Sequence, residues 1–244
     1  MSYQCEKVLP YDEQRSKTEQ VEQMFDNISD QYDTMNRAMT LGVDLVWRRK
    51  AIDSLRPFAP QRILDVATGT GDFAIESYRR LAPKEVVGVD LSEGMLQVGK
   101  LKVEKLGLSK QIILQQEDCL SMSFLDEQFD AVTVAFGVRN FSDLKAGIVE
   151  MNRVLRKGGH LVILEMSEPY KIFKPFYFLY TRFVIPFVGR LVSKDKRAYS
   201  YLPDSIKVFP HGDAMKKLLL ESGFSSIEYR RFTFGVCAFY LAKK

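Results

Sequence analysis

Histidine and cysteine are scarce in this chain of 244 residues, which contains two histidines and three cysteines. Cys5, Cys119 and Cys237 are widely separated and form no C-x-x-C pair, so the sequence indicates neither a disulfide framework nor a zinc site. His160 and His211 alone cannot assemble a metal centre of histidines. We therefore expect no bound metal, and chemistry that relies on other side chains.

Long apolar runs and a strong charge of one sign are also missing. No stretch approaches the roughly 20 apolar residues of a membrane-spanning helix. Met1 to Asp12 has neither the apolar core of a secretory signal nor the acid-poor pattern of a mitochondrial one. The net charge of +4 is too small to indicate a dedicated nucleic-acid-binding protein. We expect a cytoplasmic protein with an α/β domain and no nucleic-acid partner.

The stretch from Arg62 to Asp90 has the pattern of a nucleotide-binding βαβ unit. A β-branched run ends at the glycine loop Gly69-Thr70-Gly71, an amphipathic helix follows from Asp72, and a second strand closes at Asp90. The spacing from Gly71 to Asp90 is close to the roughly 20 positions typical of such units. It places a carboxylate where it can accept hydrogen bonds from ribose hydroxyls.

Two classes of ligand fit this glycine loop. Gly69-x-Gly71-x-x-Ala74 also matches the dinucleotide fingerprint, so NAD or FAD is an alternative. Asp72, however, falls at the helix N-terminus, where its carboxylate would repel a pyrophosphate and would suit a helix N-cap. Asp65 adds a second negative charge nearby. S-adenosylmethionine (SAM) has a ribose, an adenine and two cationic groups but no phosphate, so the acidic loop favours SAM over NAD.

The cofactor site also includes the ends of the two neighbouring strands. Leu91 follows the ribose acid Asp90, and Asp118 and Cys119 follow a third strand, Ile112 to Gln116. Asp118 could accept from the exocyclic amine of adenine while the next backbone N–H reaches a ring nitrogen; alternatively it caps the turn that starts at Ser121. The predicted cofactor-binding residues are Asp65, Gly69, Thr70, Gly71, Asp90, Leu91, Asp118 and Cys119.

The remaining strands place the candidate catalytic residues. Ligands of open α/β sheets bind at the carboxyl ends of strands, so Arg139 and Asn140, which follow a fourth strand, fall at the rim of the site. His160 begins a fifth strand at the opposite end and is expected to be structural. The predicted strands after the third are Phe129 to Phe136, His160 to Met166, Phe224 to Phe232 and Val236 to Leu241, the last two forming a hairpin.

Three regions organise the chain. Residues 1–50 form a loose arm, up to about residue 17, and a helix with apolar residues at Val21, Met24, Phe25 and Ile28, which either packs on the domain edge or covers the ligand as a flap. Residues 51–244 form the main domain. Within it, 170–203 is rich in aromatic and basic residues and is either an ordinary helical insertion, a lid over an apolar substrate, or a surface lying in a membrane interface.

These features resemble a class I SAM-dependent methyltransferase and, more narrowly, the UbiE/COQ5 family of quinone C-methyltransferases. The resemblance covers the chain from about Gln20 to its end. Matching segments are Tyr32-Asp33-x-Met35-Asn36 leading to Trp47, the Gly-Thr-Gly-Asp loop, Phe136 to Asn140, Arg153 to Gly159 running to Glu165-x-Ser167, and Tyr199 to Leu202. The departures are Asp44 for a usual histidine, Lys157 for a usual proline and Ala135 for a frequent serine.

The resemblance implies a Rossmann-like fold: a mostly parallel seven-stranded sheet with helices on both faces and a C-terminal antiparallel hairpin. It implies methylation of a ring carbon on a lipophilic polyprenylated quinol such as demethylmenaquinol; the alternatives are a 2-polyprenyl-6-methoxy-benzoquinol or another small molecule. It also leads us to expect peripheral contact with the inner face of the membrane, and leaves a homodimer open.

Quinol methylation needs a proton acceptor and a group that favours the phenolate, because the ring carbon is weakly nucleophilic until the adjacent hydroxyl is deprotonated. Under this hypothesis Arg139 stabilises the oxyanion and Asn140 orients a water or hydroxyl. Tyr201 completes the predicted catalytic set, with Tyr199 and His211 as further candidates.

Overall fold

Seven strands form one sheet in the part of the chain that the structure, a computed structural model, describes: residues 3–11, 14–180, 182 and 196–244, with the backbone alone for 196–200. The strands are β1 (Arg62–Val66), β2 (Glu85–Asp90), β3 (Ile112–Gln116), β4 (Phe129–Ala135), β5 (Leu155–Met166), β6 (Ser226–Phe232) and β7 (Cys237–Lys243). Their order is β3-β2-β1-β4-β5-β7-β6.

The first five strands are parallel, and β7 pairs antiparallel with both β5 and β6. This arrangement confirms the mostly parallel sheet and the C-terminal hairpin expected from the sequence. β5 begins at Leu155, earlier than His160, because Leu155 pairs with Phe129 before an irregularity in the register. β4 ends before Phe136, whose φ of +63° is incompatible with strand geometry.

Helices cover both faces of the sheet: α1 (Lys17–Ile28), α2 (Tyr32–Thr40), α3 (Val43–Asp53), α4 (Asp72–Leu81), α5 (Glu93–Lys105), α6 (Leu144–Val154), α7 (Lys174–Leu179), α8 (Lys196–Val208) and α9 (Asp213–Glu221). Several of these helices begin at a side chain that caps the helix N-terminus. Ser92 accepts from the Met95 N–H at the start of α5, and Asp143 accepts from the Ala146 N–H at the start of α6. Tyr199 to Pro203 lies in α8.

The core is divided by the sheet into two apolar layers. Leu64 and Val66 of β1 belong to one layer with Val132 and Val134 of β4, whereas Ile63 belongs to the other. Successive side chains of a strand point to opposite faces, and burial on both faces explains why these parallel strands are almost wholly apolar.

The N-terminal residues differ from the loose arm expected from the sequence. Cys5 is fully buried, and the Glu6 carboxylate accepts a hydrogen bond from the Leu144 N–H at the start of α6 (3.0 Å). The Lys17 amine, also buried, donates to the Cys5 carbonyl (2.5 Å) and to the Arg139 carbonyl (3.3 Å). Residues 3–11 are therefore docked against the domain through contacts between residues far apart in sequence.

The chain reverses direction across the sheet between β1 and β4. From β1 it proceeds outward to β2 and β3, and then returns to β4 on the other side of β1. The crevice at the carboxyl ends of these two strands is where ligands of open α/β sheets bind. Gly137 permits the close approach of the two strand ends there, because a Cβ at this position would lie 2.5 Å from the Ala67 Cβ.

Candidate functional site

The glycine loop at the end of β1 folds over the carboxylate of Asp90. Gly69 and Gly71 have φ values of +56° and +77°, in the left-handed region that favours glycine. The Gly69 N–H donates to Oδ2 of Asp90 (2.8 Å), and the Ser92 N–H donates to Oδ1 (3.0 Å). Burial raises the pKa of Asp90, whereas these backbone N–H groups oppose the rise. Asp90 is therefore held rigidly at the edge of the crevice.

A cavity lies above this loop, and we call it the acidic cavity. Four acidic side chains, Glu22, Asp90, Glu117 and Asp118, line it together with apolar groups, and no lysine, arginine or histidine is found among its described lining residues. Gly69 faces open space where a Cβ would project. A cavity of negative charge suits the ammonium and sulfonium of SAM and is unfavourable for a pyrophosphate.

Asp72 is not the source of this acidity, and the role predicted for it was wrong. The N-cap of α4 is Gly71, and the Asp72 carboxylate forms ion pairs with Lys102 (2.5 Å) and Arg37. Burial would raise the pKa of Asp72, but Lys102 and the nearby arginines hold it below its usual value. Two cations thus neutralise the carboxylate that was expected to repel phosphate.

Three of the predicted cofactor residues do not line the acidic cavity. Asp65 is buried and accepts from the hydroxyls of Thr68 (2.6 Å) and Thr133 (2.7 Å), and its burial raises its pKa to about 6. The Thr70 hydroxyl donates to Asp33 (2.6 Å). Gly71 begins α4. These residues shape the loop, and a direct contact with the cofactor stays a prediction for them.

Gly69, Asp90, Leu91, Asp118 and Cys119 do line the acidic cavity. Asp118 also accepts from the Leu120 N–H (2.9 Å), so the proposed turn-capping role and a ligand-facing position are combined in one side chain. Burial raises the pKa of the Cys119 thiol well above its usual value, which keeps it neutral.

A second cavity, the apolar cavity, opens beside the first and has a volume of about 660 Å³. Its walls are mostly aromatic and aliphatic, and its charged lining residues among those described are Asp44, Arg48 and Arg139. Described residues of the predicted insertion, 170–203, form part of these walls: Phe173, Phe176, Tyr177, Tyr180, Tyr201, Leu202 and Pro203. α1 contributes Met24, Phe25 and Ile28, so its apolar face covers ligand cavities as well as packing on the domain.

The two cavities meet at Phe25, Tyr32 and Phe136, which line both. Arg139 lies beside this junction and is almost fully buried. Its Nη1 donates to Oε1 of Glu165 (2.7 Å) and to the Phe136 carbonyl. Burial would lower the pKa of Arg139, but Glu165 and two nearby tyrosines keep it above its usual value, so this side chain is a permanent buried cation.

Asn140 and Tyr201 connect the cavities from opposite sides. Asn140 lines the acidic cavity and Tyr201 the apolar cavity, and the Tyr201 hydroxyl donates to Oδ1 of Asn140 (3.0 Å). Burial raises the pKa of the Tyr201 hydroxyl, so it remains protonated and can donate this bond at neutral pH. All three predicted catalytic residues therefore lie at or beside the junction.

The two histidines lie elsewhere. His211 bonds through Nε2 to the Ile206 carbonyl (2.9 Å) and lines neither cavity. His160 stacks on Phe58 with ring centres 3.6 Å apart, which confirms its structural role. The side chain of Tyr199 is outside the described residues.

Sequence reasoning missed several residues of the site. Tyr32 was noted only as part of a family motif, yet it lines both cavities. Glu22 and Glu117 supply half of the acidic charge, and Arg48 lines the apolar cavity beneath Phe136. The position of Glu117 could have been predicted from the sequence, because this acid is adjacent to Asp118 and follows a strand whose end faces the crevice.

Within the described ranges, no group of three or more histidine, cysteine, aspartate or glutamate side chains is placed to hold a metal ion. No helix in those ranges is long and apolar enough to cross a membrane.

Solved structures of other proteins share the fold of this chain. The structure resembles that of the [4+2]-cyclase SpnF with a TM-score of 0.70 at 16% identity, covering 93% of this chain and 96% of that one. It also resembles phosphoethanolamine N-methyltransferase 2 of Haemonchus contortus, solved with S-adenosyl-L-methionine: the TM-score is 0.59 at 17% identity, covering 80% and 52% of the two chains. These similarities show a shared fold.

Sequence similarity is closer and identifies the family. The chain is 54% identical over 245 residues to the demethylmenaquinone methyltransferase of Bacteroides fragilis, a match that covers 100% of both chains. It is 43% identical over 230 residues to the ubiquinone/menaquinone biosynthesis C-methyltransferase UbiE of Geobacter sulfurreducens, covering 93% and 90%. The family model for the ubiE/COQ5 methyltransferases matches residues 13–244. The chain therefore belongs to the ubiE/COQ5 methyltransferase family and is an S-adenosylmethionine-dependent methyltransferase.

Proposed function

We propose that the protein methylates a ring carbon of a polyprenylated quinol, with demethylmenaquinol as the acceptor. The observation that carries this proposal is the junction of an acidic cavity, suited to SAM, with an apolar cavity of about 660 Å³ that has a buried arginine beside the junction. An apolar ring with an isoprenoid tail matches the aromatic walls, and its oxygens match the few polar groups. The names of the relatives support the same acceptor.

The roles of the site residues follow from the charge that develops on the acceptor. SAM, when bound, supplies an electrophilic methyl group. Deprotonation of the quinol hydroxyl places negative charge on the oxygen and the adjacent ring carbon, and a buried cation lowers the energy of that anion. Arg139 is the cation in this account. The carbon–carbon bond forms as the carbon–sulfur bond breaks, and the ring carbon then loses its proton to restore the aromatic ring.

Asn140 and Tyr201 orient the acceptor in this account. Because the Tyr201 hydroxyl donates to Oδ1 of Asn140, the amide of Asn140 has a fixed orientation, with its N–H groups directed away from that bond. Those N–H groups can donate to the oxygen of a water or of the quinol, which places the ring for transfer from the acidic cavity. Positioning of this kind can supply a large part of the rate enhancement.

The mouth of the apolar cavity supports contact with a membrane surface, where a polyprenylated substrate dissolves. Exposed apolar side chains cluster on and before α7 and on nearby loops: Leu41, Tyr170, Ile172, Phe176, Phe178, Leu179 and Phe234. Lys171 and Lys174 lie among them. Apolar residues that enter the acyl boundary, with cations facing anionic lipid head groups, form the usual combination of an interfacial surface.

Vesicle binding tests this surface directly. We expect the double variant Ile172→Asp, Phe176→Asp to sediment with anionic vesicles about 10-fold less than the unchanged protein, since it loses two apolar side chains that would enter the acyl boundary and gains repulsion. Leu125→Asp is the matched control, because Leu125 is 76% exposed but precedes β4 at the opposite end of the sheet. Equal binding by all three proteins would contradict the membrane surface.

Competition between acceptors tests the chemistry. The purified protein, with SAM, is offered demethylmenaquinol, a 2-polyprenyl-6-methoxy-benzoquinol with the same tail, and a soluble catechol, and initial rates are compared by product mass. Demethylmenaquinol is expected to be methylated fastest. Faster methylation of the benzoquinol would identify that compound, and not demethylmenaquinol, as the acceptor. Faster methylation of the catechol would refute the quinol assignment.

A further inference from the structure

Arg48 is a buried cation whose guanidinium makes no hydrogen bond with any residue that the structure describes. Its side chain, on α3, is 7% exposed and lines the apolar cavity. Its Nε is fully buried without a hydrogen-bond partner, and the Asp44 carboxylate oxygen is 3.8 Å away, too far for a hydrogen bond. Buried polar groups are nearly always hydrogen-bonded, so this guanidinium lacks acceptors, and an oxygen of a ligand in the apolar cavity can supply one to its terminal Nη groups.

Two aromatic rings lie against this guanidinium. Its central carbon lies 5.1 Å from the centre of the Phe136 ring and 5.7 Å from that of Phe73. Cation–π attraction of this kind stabilises the charge of a guanidinium but gives its N–H groups no hydrogen-bond acceptor. Because Phe136 lines both cavities, the Arg48 guanidinium lies close to the region where the methyl acceptor must bind.

A chain of alternating charges holds Arg48 from behind. It runs Asp33, Lys102, Asp72, Arg37, Asp44, Arg48, with Lys102 2.7 Å from Asp33 and 2.5 Å from Asp72. The Thr70 hydroxyl of the glycine loop bonds to Asp33 at its far end. The position of Arg48 in the apolar cavity is thereby tied to the cofactor loop, which is the arrangement expected for a preorganised binding group.

The other charged groups that line the apolar cavity, among the described residues, already have ion-pair partners. Asp44 accepts from Thr40 (2.7 Å) and Arg37, and Arg139 donates through Nη1 to Glu165, while its Nε, like that of Arg48, is buried without a partner. An acceptor with two oxygens in para positions requires a second donor besides Arg139. We propose that Arg48 binds the ring oxygen para to the hydroxyl that flanks the reacting carbon. This inference rests on the proposed function and adds a determinant that distinguishes 1,4-diols from monophenols.

A double-change cycle, in which one protein side chain and one substrate oxygen are altered separately and together, tests the role of Arg48. The substrates are a short-tailed demethylmenaquinol and its analogue in which hydrogen replaces the para oxygen, and the proteins are the unchanged chain and Arg48→Met. With the diol, Arg48→Met should lower kcat/KM about 10- to 100-fold, as expected for loss of a charge-assisted hydrogen bond. With the analogue it should lower kcat/KM less than about 3-fold, within the context spread of such contacts. The dissociation constant of SAM should not change.

Controls separate this role from a structural one. Arg49→Met removes a neighbouring arginine that is 52% exposed and pairs with Glu76, and it should leave both substrates unaffected. If Arg48→Met does not fold, Arg48→Lys keeps the charge and most of the stem while losing the planar donor edge, and it should again impair the diol selectively. An equal loss with both substrates would overturn the role of Arg48, whereas an unchanged protein that methylates neither would instead refute the proposed function.

Discussion

The hydroxyl of Tyr201 donates a hydrogen bond of 3.0 Å to the side-chain oxygen of Asn140, and this bond links the two cavities. Tyr201 belongs to α8 and Asn140 to the turn after β4, so the bond also joins the covering helix to the sheet. Both side chains are buried. The geometry of the junction therefore depends on a contact between residues that lie 61 positions apart in the sequence.

Tyr201→Phe should reduce turnover without weakening SAM binding. The substitution keeps the ring and removes the donor, so Asn140 loses the bond that fixes its amide. A net hydrogen-bond contribution of about 1 kcal/mol corresponds to roughly a 5-fold fall in kcat. Steady-state kinetics with calorimetry for SAM measure both quantities. Equal kcat values in the two proteins would show that the Tyr201–Asn140 hydrogen bond does not contribute to turnover.

Asp90→Asn should weaken SAM binding strongly. The change removes the charge of the carboxylate that we predict accepts from ribose hydroxyls, and hydrogen bonds to charged groups contribute about 1.5–3 kcal/mol, or roughly 10- to 100-fold in the dissociation constant. Glu93→Gln is the control, because Glu93 is close in sequence but pairs with Lys100 on the surface. Calorimetric titration in which Asp90→Asn matches the unchanged protein would exclude the ribose role.

Arg139 and Glu165 form a buried pair, so their substitution separates stability from catalysis. Arg139→Ala leaves the fully buried Glu165 carboxylate without its cation, which should cost about 3–5 kcal/mol of unfolding free energy. The double variant Arg139→Ala, Glu165→Gln removes that unpaired charge and should recover much of the stability while turnover stays low. Denaturant unfolding and single-turnover rates measure the two effects. Normal turnover in the double variant would show that Arg139 does not stabilise the transition state.

The buried Lys17 amine should make stability rise with pH in a defined window. Burial lowers its pKa from the usual 10.5 to about 8, so between these values the unfolded chain binds a proton that the folded chain does not. Stability therefore rises with pH through this window, by about 2 kcal/mol between roughly pH 7.5 and 9.5. The rise is measured as the difference in unfolding free energy between the unchanged protein and Lys17→Met, which cancels the other titrating groups.

Lys100→Met serves as the control for this pH effect, because Lys100 is half exposed on α5. It should show no comparable change relative to the unchanged protein. A flat difference for Lys17→Met across the same range would mean that the Lys17 ammonium is not destabilised in the folded chain.

Local patterns predicted the strands and the glycine loop because these depend on neighbouring residues. The β-branched run before Gly69 and the acid at Asp90 are properties of one βαβ unit, and the parallel sheet places strand ends together without further information. The same logic put Arg139 and Asn140 at the rim. These parts of the fold and of the site could therefore be predicted from the sequence alone.

The parts that sequence could not supply depend on distant partners. Asp72 was misread because its cations, Lys102 and Arg37, lie 30 and 35 positions away on other helices. The N-terminal arm was expected to be loose because its anchors, Leu144 and the Arg139 carbonyl, are far along the chain. Arg48 follows Trp47 in an ordinary amphipathic helix, and nothing local distinguishes a cavity-lining arginine from an exposed one such as Arg49.

Isotope tracing of the methyl group tests whether the protein methylates a ring carbon of the quinol. The protein is incubated with SAM labelled with carbon-13 in its methyl group and with demethylmenaquinol in vesicles, and the product is analysed by mass and by carbon NMR. We expect a single added methyl group, bonded to the ring carbon next to a hydroxyl. A methyl bonded to oxygen, or no transfer to the quinol while SAM binds normally, would contradict this expectation.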